Sequence, residues 1–295
     1  MTLKKLFLII LSAMLLCSCT GIDSGTDQTA EPALLTGVSA EELTEDENTE
    51  STPQRAVSLS PAITEMIFDL GHGSKLVAAG EYCTEPAAAD SLPKAGTAAN
   101  PDKKKILAYA PDLLITASPV SNTDITDLKD GGVKTLIIPP PDSIDGLREM
   151  YVTIGSLWDS EDAEAAADNI MSRVYSSAEN AYKTDKTIMM FLSNQNAATP
   201  DTIAGDIVSV FGENAAKGYS NYSMPRDKIL MTDPDIIILS DKLDYWKFTE
   251  EFAELTAVQQ SRTVIIQGDY IERPTARIGE LIDFISANLK LVDNF

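Results

Sequence analysis

The side chains able to do chemistry are few. The chain of 295 residues carries one His and three Cys, too few for a multi-His metal site or a disulfide framework. The single His lies in Gly71-His72-Gly73 at the end of a helical pattern, where it is expected to cap carbonyls rather than act as a base. No Gly-x-Ser-x-Gly elbow, phosphate loop or dinucleotide glycine pattern occurs. What remains suits binding. Arg273 and Arg277 can pair with phosphate, carboxylate or other anionic oxygens, although Arg277 falls where an amphipathic helix begins and has a structural use there. Tyr82, Tyr219, Tyr222, Tyr245 and Trp246 offer aromatic faces, and Asn194, Gln195 and Asn196 offer amides. Cys83 can touch a metal complex, or act as a small buried hydrophobe. Trp158 is assigned to packing. The net charge of −22, from 45 acidic against 23 basic residues, excludes nucleic acid as a partner, since phosphate binding needs a basic footprint.

These residues must be held by an α/β framework. Ala56-Val57-Ser58-Leu59 reads as a strand, and Ser60-Pro61 supplies an N-cap and a first-position Pro for the helix that follows. Ile63, Met66, Ile67 and Leu70 have helical spacing, and Gly71 ends the run. Strands follow at Lys75–Ala79, Asp112–Thr116 and Lys134–Ile138, with a helix over Lys103–Ala110. The segment Lys105–Ile115 is echoed by Lys228–Ile238. In both, Pro and then Asp break a helix end ahead of a continuous apolar run. Alternation and repeat together predict two parallel-sheet α/β lobes, 55–142 and 185–295. The linking segment, 143–184, has no Pro. Ala163, Ala166, Ala167, Ile170, Val174, Ala178 and Ala181 share a face of a helix expected over Glu161–Lys183, about 35 Å long. Tyr82, Gln195, Tyr222, Tyr245 and Trp246 then fall in loops at the C-terminal ends of strands, where open α/β sheets place ligands.

The N-terminus has a separate purpose. Met1-Thr2-Leu3-Lys4-Lys5, an apolar run from Leu6 to Leu16 and a small-residue exit describe a secretory signal over 1–19. Leu16-Cys17-Ser18-Cys19 resembles a bacterial lipobox, which makes Cys19 the lipidated first residue of an extracytoplasmic, membrane-anchored protein. Residues 20–54 hold nine acids, no Lys or Arg and no aromatic residue, the composition of a disordered acidic tether.

The segment Arg55-Ala56-Val57-Ser58-Leu59-Ser60-Pro61-Ala62-Ile63-Thr64-Glu65 resembles the opening of the helical-backbone (class III) substrate-binding lipoproteins of ABC importers, which serve vitamin B12, ferric siderophores and haem. Tyr82-Cys83-Thr84-Glu85-Pro86, Leu92-Pro93-Lys94-Ala95-Gly96-Thr97, Ala110-Pro111-Asp112 and Arg273-Pro274-Thr275-Ala276-Arg277 are further likenesses, in order over about 55–292. The resemblance implies two lobes joined by one long helix with a ligand cleft between them. It also implies no catalysis, no resident cofactor or metal, a monomer, and delivery of a metal chelate to a permease with its ATPase subunits. The Ser-Pro-x-x-Thr-Glu opening and the Tyr-Cys-x-x-Pro loop look most similar to cobalamin binders; ferric-siderophore or haem binding is the alternative. The ligand residues it implies are Tyr82, Cys83, Asn194, Gln195, Tyr222, Tyr245, Trp246 and Arg273. The family also carries an acid on each lobe tip to meet the permease. Asp227 has that position in the second lobe. In the first it falls on Lys104, a departure under which either Asp102 takes the role or the permease pairing differs from the usual acid–base pattern. An anchored hydrolase, or a sensor or adhesion module, is the reading from a different class.

Overall fold

The computed structural model describes residues 52–159, 161–193 and 195–293. The signal segment with Cys19, the tether as far as residue 51, and Asn194 lie outside them. The end of the expected tether is already part of the fold. The Pro53 carbonyl accepts Trp158 Nε1 at 2.8 Å, and the Gln54 N–H donates to Asp112 at 2.7 Å.

Two four-stranded parallel sheets form the frame. Strands β1 (Ala56–Ser58), β2 (Leu76–Ala79), β3 (Leu113–Thr116) and β4 (Lys134–Ile137) pair in the order β2-β1-β3-β4. Strands β5 (Thr187–Phe191), β6 (Glu213–Asn214), β7 (Ile236–Ser240) and β8 (Thr263–Ile266) repeat it as β6-β5-β7-β8. The internal echo in the sequence thus corresponds to β3 and β7, each in the third-strand position of its sheet. The stereochemistry of the first βα turn is local. Helix α1 (Pro61–Asp69) starts with Ser60 accepting the Ile63 N–H and Pro61 in the first turn. It stops at Gly71, whose φ of +79° no side-chain-bearing residue adopts cheaply, with the His72 N–H returned to the Ile67 carbonyl at 2.9 Å.

Alternation along the strands divides the interior into three parts. Leu113 and Ile115 of β3, and Ile236 and Ile238 of β7, face one large cluster shared by both lobes. Leu114 faces a smaller cluster outside the first sheet, and Ile237 and Leu239 one outside the second. Both strands are buried at every position, as expected for parallel strands covered on both faces.

The linking segment differs from the single long helix expected. Helix α2 (Lys103–Ala108) and helix α3 (Asn122–Asp130) belong to the first lobe; the link itself is two helices, α4 (Ile144–Gly155) and α5 (Ala163–Glu179). Helix α5 has 17 residues, about 26 Å, rather than the 35 Å read from sequence. It lies antiparallel to α4, because Arg148 Nε meets Asp168 at 2.6 Å and Tyr175 OH meets Asp145 at 3.0 Å. At the turn the chain comes close to itself: a Cβ on Gly155 would sit 3.3 Å from that of Ala163. The N-terminus of α4 is fixed in the second lobe, where the Ile144 N–H donates to Asp206 of α6 (Ile203–Phe211) at 2.8 Å. Past α5, the Tyr182 N–H meets Ser286 of α9 (Ile278–Val292) at 2.8 Å. Ile154, Met171, Val174 and Ile285 all enter the shared cluster, so the pair packs into both lobes rather than spanning open space. Among the described residues no helix is long and apolar enough to cross a membrane.

Candidate functional site

The C-terminal ends of the parallel strands bring the candidate side chains into two loop sets. In the first lobe, the loop after β2 turns at Gly80, whose N–H returns to the Ser58 carbonyl at 2.8 Å. Tyr82 at its tip is 63% exposed. Cys83 next to it has the opposite environment and must be corrected: it is fully buried and does not offer its thiol to a ligand. Thr64 Oγ1 lies 3.1 Å from its Sγ and 2.8 Å from Ser58 Oγ, and Lys94 Nζ donates to the Cys83 carbonyl at 2.7 Å. Burial pushes the thiol pKa up, against smaller opposing effects from Thr64, the Gly80 backbone, Lys94 and Arg273. Cys83 therefore anchors the loop that presents Tyr82, and its raised pKa keeps it unreactive.

In the second lobe, α8 (Tyr245–Glu251) starts just beyond β7, with Asp244 capping the Lys247 N–H at 3.1 Å. Trp246 in its first turn is 80% exposed, and the half-buried Tyr245 meets it edge-on at 5.8 Å. Leaving so large an apolar ring in water forgoes about 2 kcal/mol of burial. Gln195 sits at φ +61° and closes a turn onto Leu192 at 2.8 Å. Tyr222 is also left-handed, at φ +56°, and its N–H is held by Thr199 Oγ1 at 3.0 Å. The Tyr222 ring packs against the shared core, and burial raises its pKa. Tyr219 packs in the outer cluster of the second sheet.

The Arg-Pro segment of the second lobe reaches the first. Arg273 is half-buried, and its charge acts on the Cys83 thiol in the first lobe. Arg277 crosses to the first lobe as well, with Nε 2.6 Å from Glu65 Oε1 as an ion pair rather than an aligned hydrogen bond. Its guanidinium lies 5.4 Å from the centre of the Tyr270 ring. Thr275 Oγ1 donates to the same Glu65 oxygen at 2.9 Å. Beside this contact, Tyr151 OH donates to Asp69 at 2.6 Å and accepts the Ala276 N–H at 3.1 Å. Burial raises the pKa of both carboxyls, and Arg277 opposes the rise at each. Sequence reasoning missed Glu65, Asp69, Tyr151 and Thr275. The available signal was that Glu65 and Thr275 lie within the two segments that carried the resemblance.

The docking candidates differ in how committed they are. Asp102 caps α2 through the Lys105 N–H at 3.1 Å and pairs with Lys105 Nζ at 3.3 Å; the cap lowers its pKa. Its carboxylate is thus engaged locally, leaving Lys104 exposed beside it. Asp227, in the first turn of α7 (Arg226–Thr232), is exposed, with Lys228 Nζ 3.8 Å away. Trp158 packs on the His72 ring at 5.3 Å, and burial lowers the His72 pKa. His72 caps through its backbone N–H, not its side chain. Among the described residues no cluster of His, Cys, Asp or Glu is placed to hold a metal ion.

Two hollows lie in the second lobe, and neither is lined by residues of both lobes. One of about 280 Å³ lies between β8 and α9, lined by Asp241, Ile265, Gln267, Tyr270, Glu280 and Phe284 among others. A smaller one of about 140 Å³ includes Asp241, Ile265 and Tyr245. Neither hollow includes Tyr82, Trp246 or Arg273.

Comparison with known proteins agrees with this architecture. A cobalamin-binding protein of Halobacterium salinarum is 26% identical over 250 residues, covering 78% of this chain and 68% of its own. The ABC transporter substrate-binding lipoprotein YvrC of Bacillus subtilis, itself uncharacterized, is 24% identical over 305 residues and covers 95% of both chains. The solved haem-binding protein RhuT of Roseiflexus shares the fold with a TM-score of 0.68 at 20% identity, over 81% of this chain and 98% of its own. Residues 57–270 match the periplasmic binding protein family, and the chain belongs to that family.

Proposed function

We propose that the protein captures a metal-chelate nutrient outside the cytoplasm, a corrinoid in first place, and hands it to an ABC permease driven by its ATPase subunits. The observation that carries this reading is an exposed aromatic ring on each lobe, Tyr82 and Trp246, together with a half-buried Arg273 whose charge reaches the Cys83 thiol next to Tyr82. A corrinoid has a broad partly apolar face for the rings, and amide and phosphate groups for Gln195, Asn194 and Arg273. The cobalamin-binding relative and the substrate-binding lipoprotein relative support the ligand class and the transporter. Lipidated Cys19 would hold the protein at the membrane, and the protein would work as a monomer without catalysis. Haem is the second reading, favoured by the exposed Tyr82 phenol, an oxygen that can reach iron from solvent.

A titration panel tests both. Cyanocobalamin, haemin and ferric siderophores are added to the purified protein while fluorescence of its two Trp residues and thermal stability are followed. Saturable submicromolar binding of cyanocobalamin, weakened about tenfold or more by Trp246→Ala with an unchanged melting temperature, is the expected result. Binding of haemin alone, with an absorbance spectrum altered by Tyr82→Phe, moves the assignment to haem. A siderophore response alone moves it to iron import, and silence across the panel from folded protein sinks the reading.

A further inference from the structure

Three consecutive residues of the Arg-Pro segment are each held by distant parts of the chain, two by the first lobe and one by the linking helix α4. Thr275 and Arg277 are held by Glu65 of α1, at 2.9 and 2.6 Å, and Ala276 by Tyr151 of α4, at 3.1 Å. These partners lie 210 and 125 residues away for Thr275 and Ala276. The holding groups are themselves fixed. Tyr151 is fully buried and bonded to Asp69, and the Glu65 side chain is only 10% exposed. In the other direction the segment continues into α9, which packs on α5 of the link and on β8 of the second lobe.

We infer that Glu65, Tyr151 and Asp69 are positioning residues for the binding surface, fixing where Arg273 stands relative to the first lobe through Thr275–Arg277. This rests on the functional reading above. Pro274, buried and with its φ fixed by the ring, is the only residue between Arg273 and the first anchored position. Little freedom is left for the Arg273 backbone once Thr275 is held. The second lobe therefore supplies the guanidinium, but the first lobe sets where it stands. Trp246 and Tyr245 ride on α8, beyond the reach of these bonds. One side of the ligand surface is then built to a fixed spacing, and the other follows the second-lobe loops.

The inference is tested first without ligand. Spin labels are placed at the exposed Tyr82→Cys and Glu272→Cys positions in the full chain carrying Cys17→Ser and Cys19→Ser. Buried Cys83 stays unlabelled. One narrow distance is expected, broadened by Tyr151→Phe and by Thr275→Val, and restored by Thr275→Ser. A control pair at Tyr82→Cys and Lys247→Cys should change little. A distribution between positions 82 and 272 that ignores both variants overturns the inference, whatever ligand the protein binds. Should Tyr151→Phe fail to fold, the shape-preserving Thr275→Val with its Ser counterpart decides alone. With a ligand from the panel, Thr275→Val is expected to weaken binding about fivefold. That loss should vanish in an Arg273→Ala background and persist in full beside Trp246→Ala. Equal losses in both backgrounds mean general destabilisation and overturn the positioning role.

Discussion

The two lobes share a skeleton but secure it differently. In each, the residue before the Pro-Asp pair is left-handed: Ala110 at φ +43° and Asp233 at φ +44°. In each, the Asp that follows closes the start of the neighbouring first strand. Asp112 accepts the Gln54 and Arg55 N–H groups at an exposed edge. Asp235 accepts both the N–H and the hydroxyl of Thr187, at 2.9 and 2.8 Å, and its own N–H returns to Thr187 Oγ1 at 3.1 Å. The left-handed residues also differ. Asp233 uses its carboxylate to hold Thr256 through N–H and hydroxyl, both at 2.7 Å. Ala110 has no side chain to use, so the Arg55 guanidinium binds the Tyr109 and Ala110 carbonyls instead. At the tips, Lys103 and Arg226 are both drawn inward, onto Asp124 and Asp127 at 2.7 and 2.5 Å and onto the Glu251 carbonyl at 2.6 Å. The next residue is Lys104 in one lobe and Asp227 in the other, both exposed. Positions that shape the backbone match across the repeat, while the side chain that faces outward has reversed its charge.

Breaking the strand closures should give the largest contrast. Asp235→Ala strands part-buried donors and is expected to cost about 2–3 kcal/mol, against about 1 kcal/mol for Asp112→Ala at its wetter site. Urea unfolding measures both, and equal losses would show that the reciprocal bonding at Thr187 adds nothing. Substituting the left-handed residues should give opposite signs. Ala110→Gly relieves an unfavourable φ and is expected to gain roughly 0.5 kcal/mol, whereas Asp233→Gly loses the hold on Thr256 and should cost about 1 kcal/mol.

A subtler contrast is in acid. Lys186 holds the Asp293 carboxyl of the second lobe down to about 2, so its stabilisation is complete above the ordinary carboxylate range and is lost as pH falls toward 2. Glu65 and Asp69 are shifted upward by burial. The folded protein there keeps protons that the unfolded chain has shed, and stability from this source declines as pH rises out of the same range. Asp293→Asn should flatten the acid limb of a melting-temperature profile, and Glu65→Gln should flatten part of the decline above it. The smallest effect on stability is expected at the tips. Lys104→Glu and Asp227→Lys should leave melting unchanged and alter only the rate of encounter with the permease in reconstituted vesicles.

How much of this was legible depended on the range of the interaction. Ser60-Pro61 starting α1 and Gly71 ending it are decided within a few residues, and the sequence states them. The repeat foretold the matched sheets because Pro-Asp before an apolar run has one local geometry. The linking segment was read as one helix because the Ala-rich face from Ala163 onward dominated the pattern. Its partner α4 carries Gly146 and Gly155, which weaken the same signal. Cys83 admits both a ligand-facing and a buried reading from the sequence, because its immediate neighbours are polar. Its burial is decided by Ser58 and Thr64, brought over it by the first βα turn. The clasp on Thr275–Arg277 joins residues more than a hundred positions apart, and no spacing rule reaches that far.

The shared apolar cluster has a mechanical meaning. Because α4 and α5 contribute to the same interior as both sheets, the two halves share one apolar core among the described residues. Heating should melt the halves in one cooperative step, and a protease should find no intermediate in which half survives. A receptor built this way can alter its grip through loops a few residues long, while its frame stays a single solid.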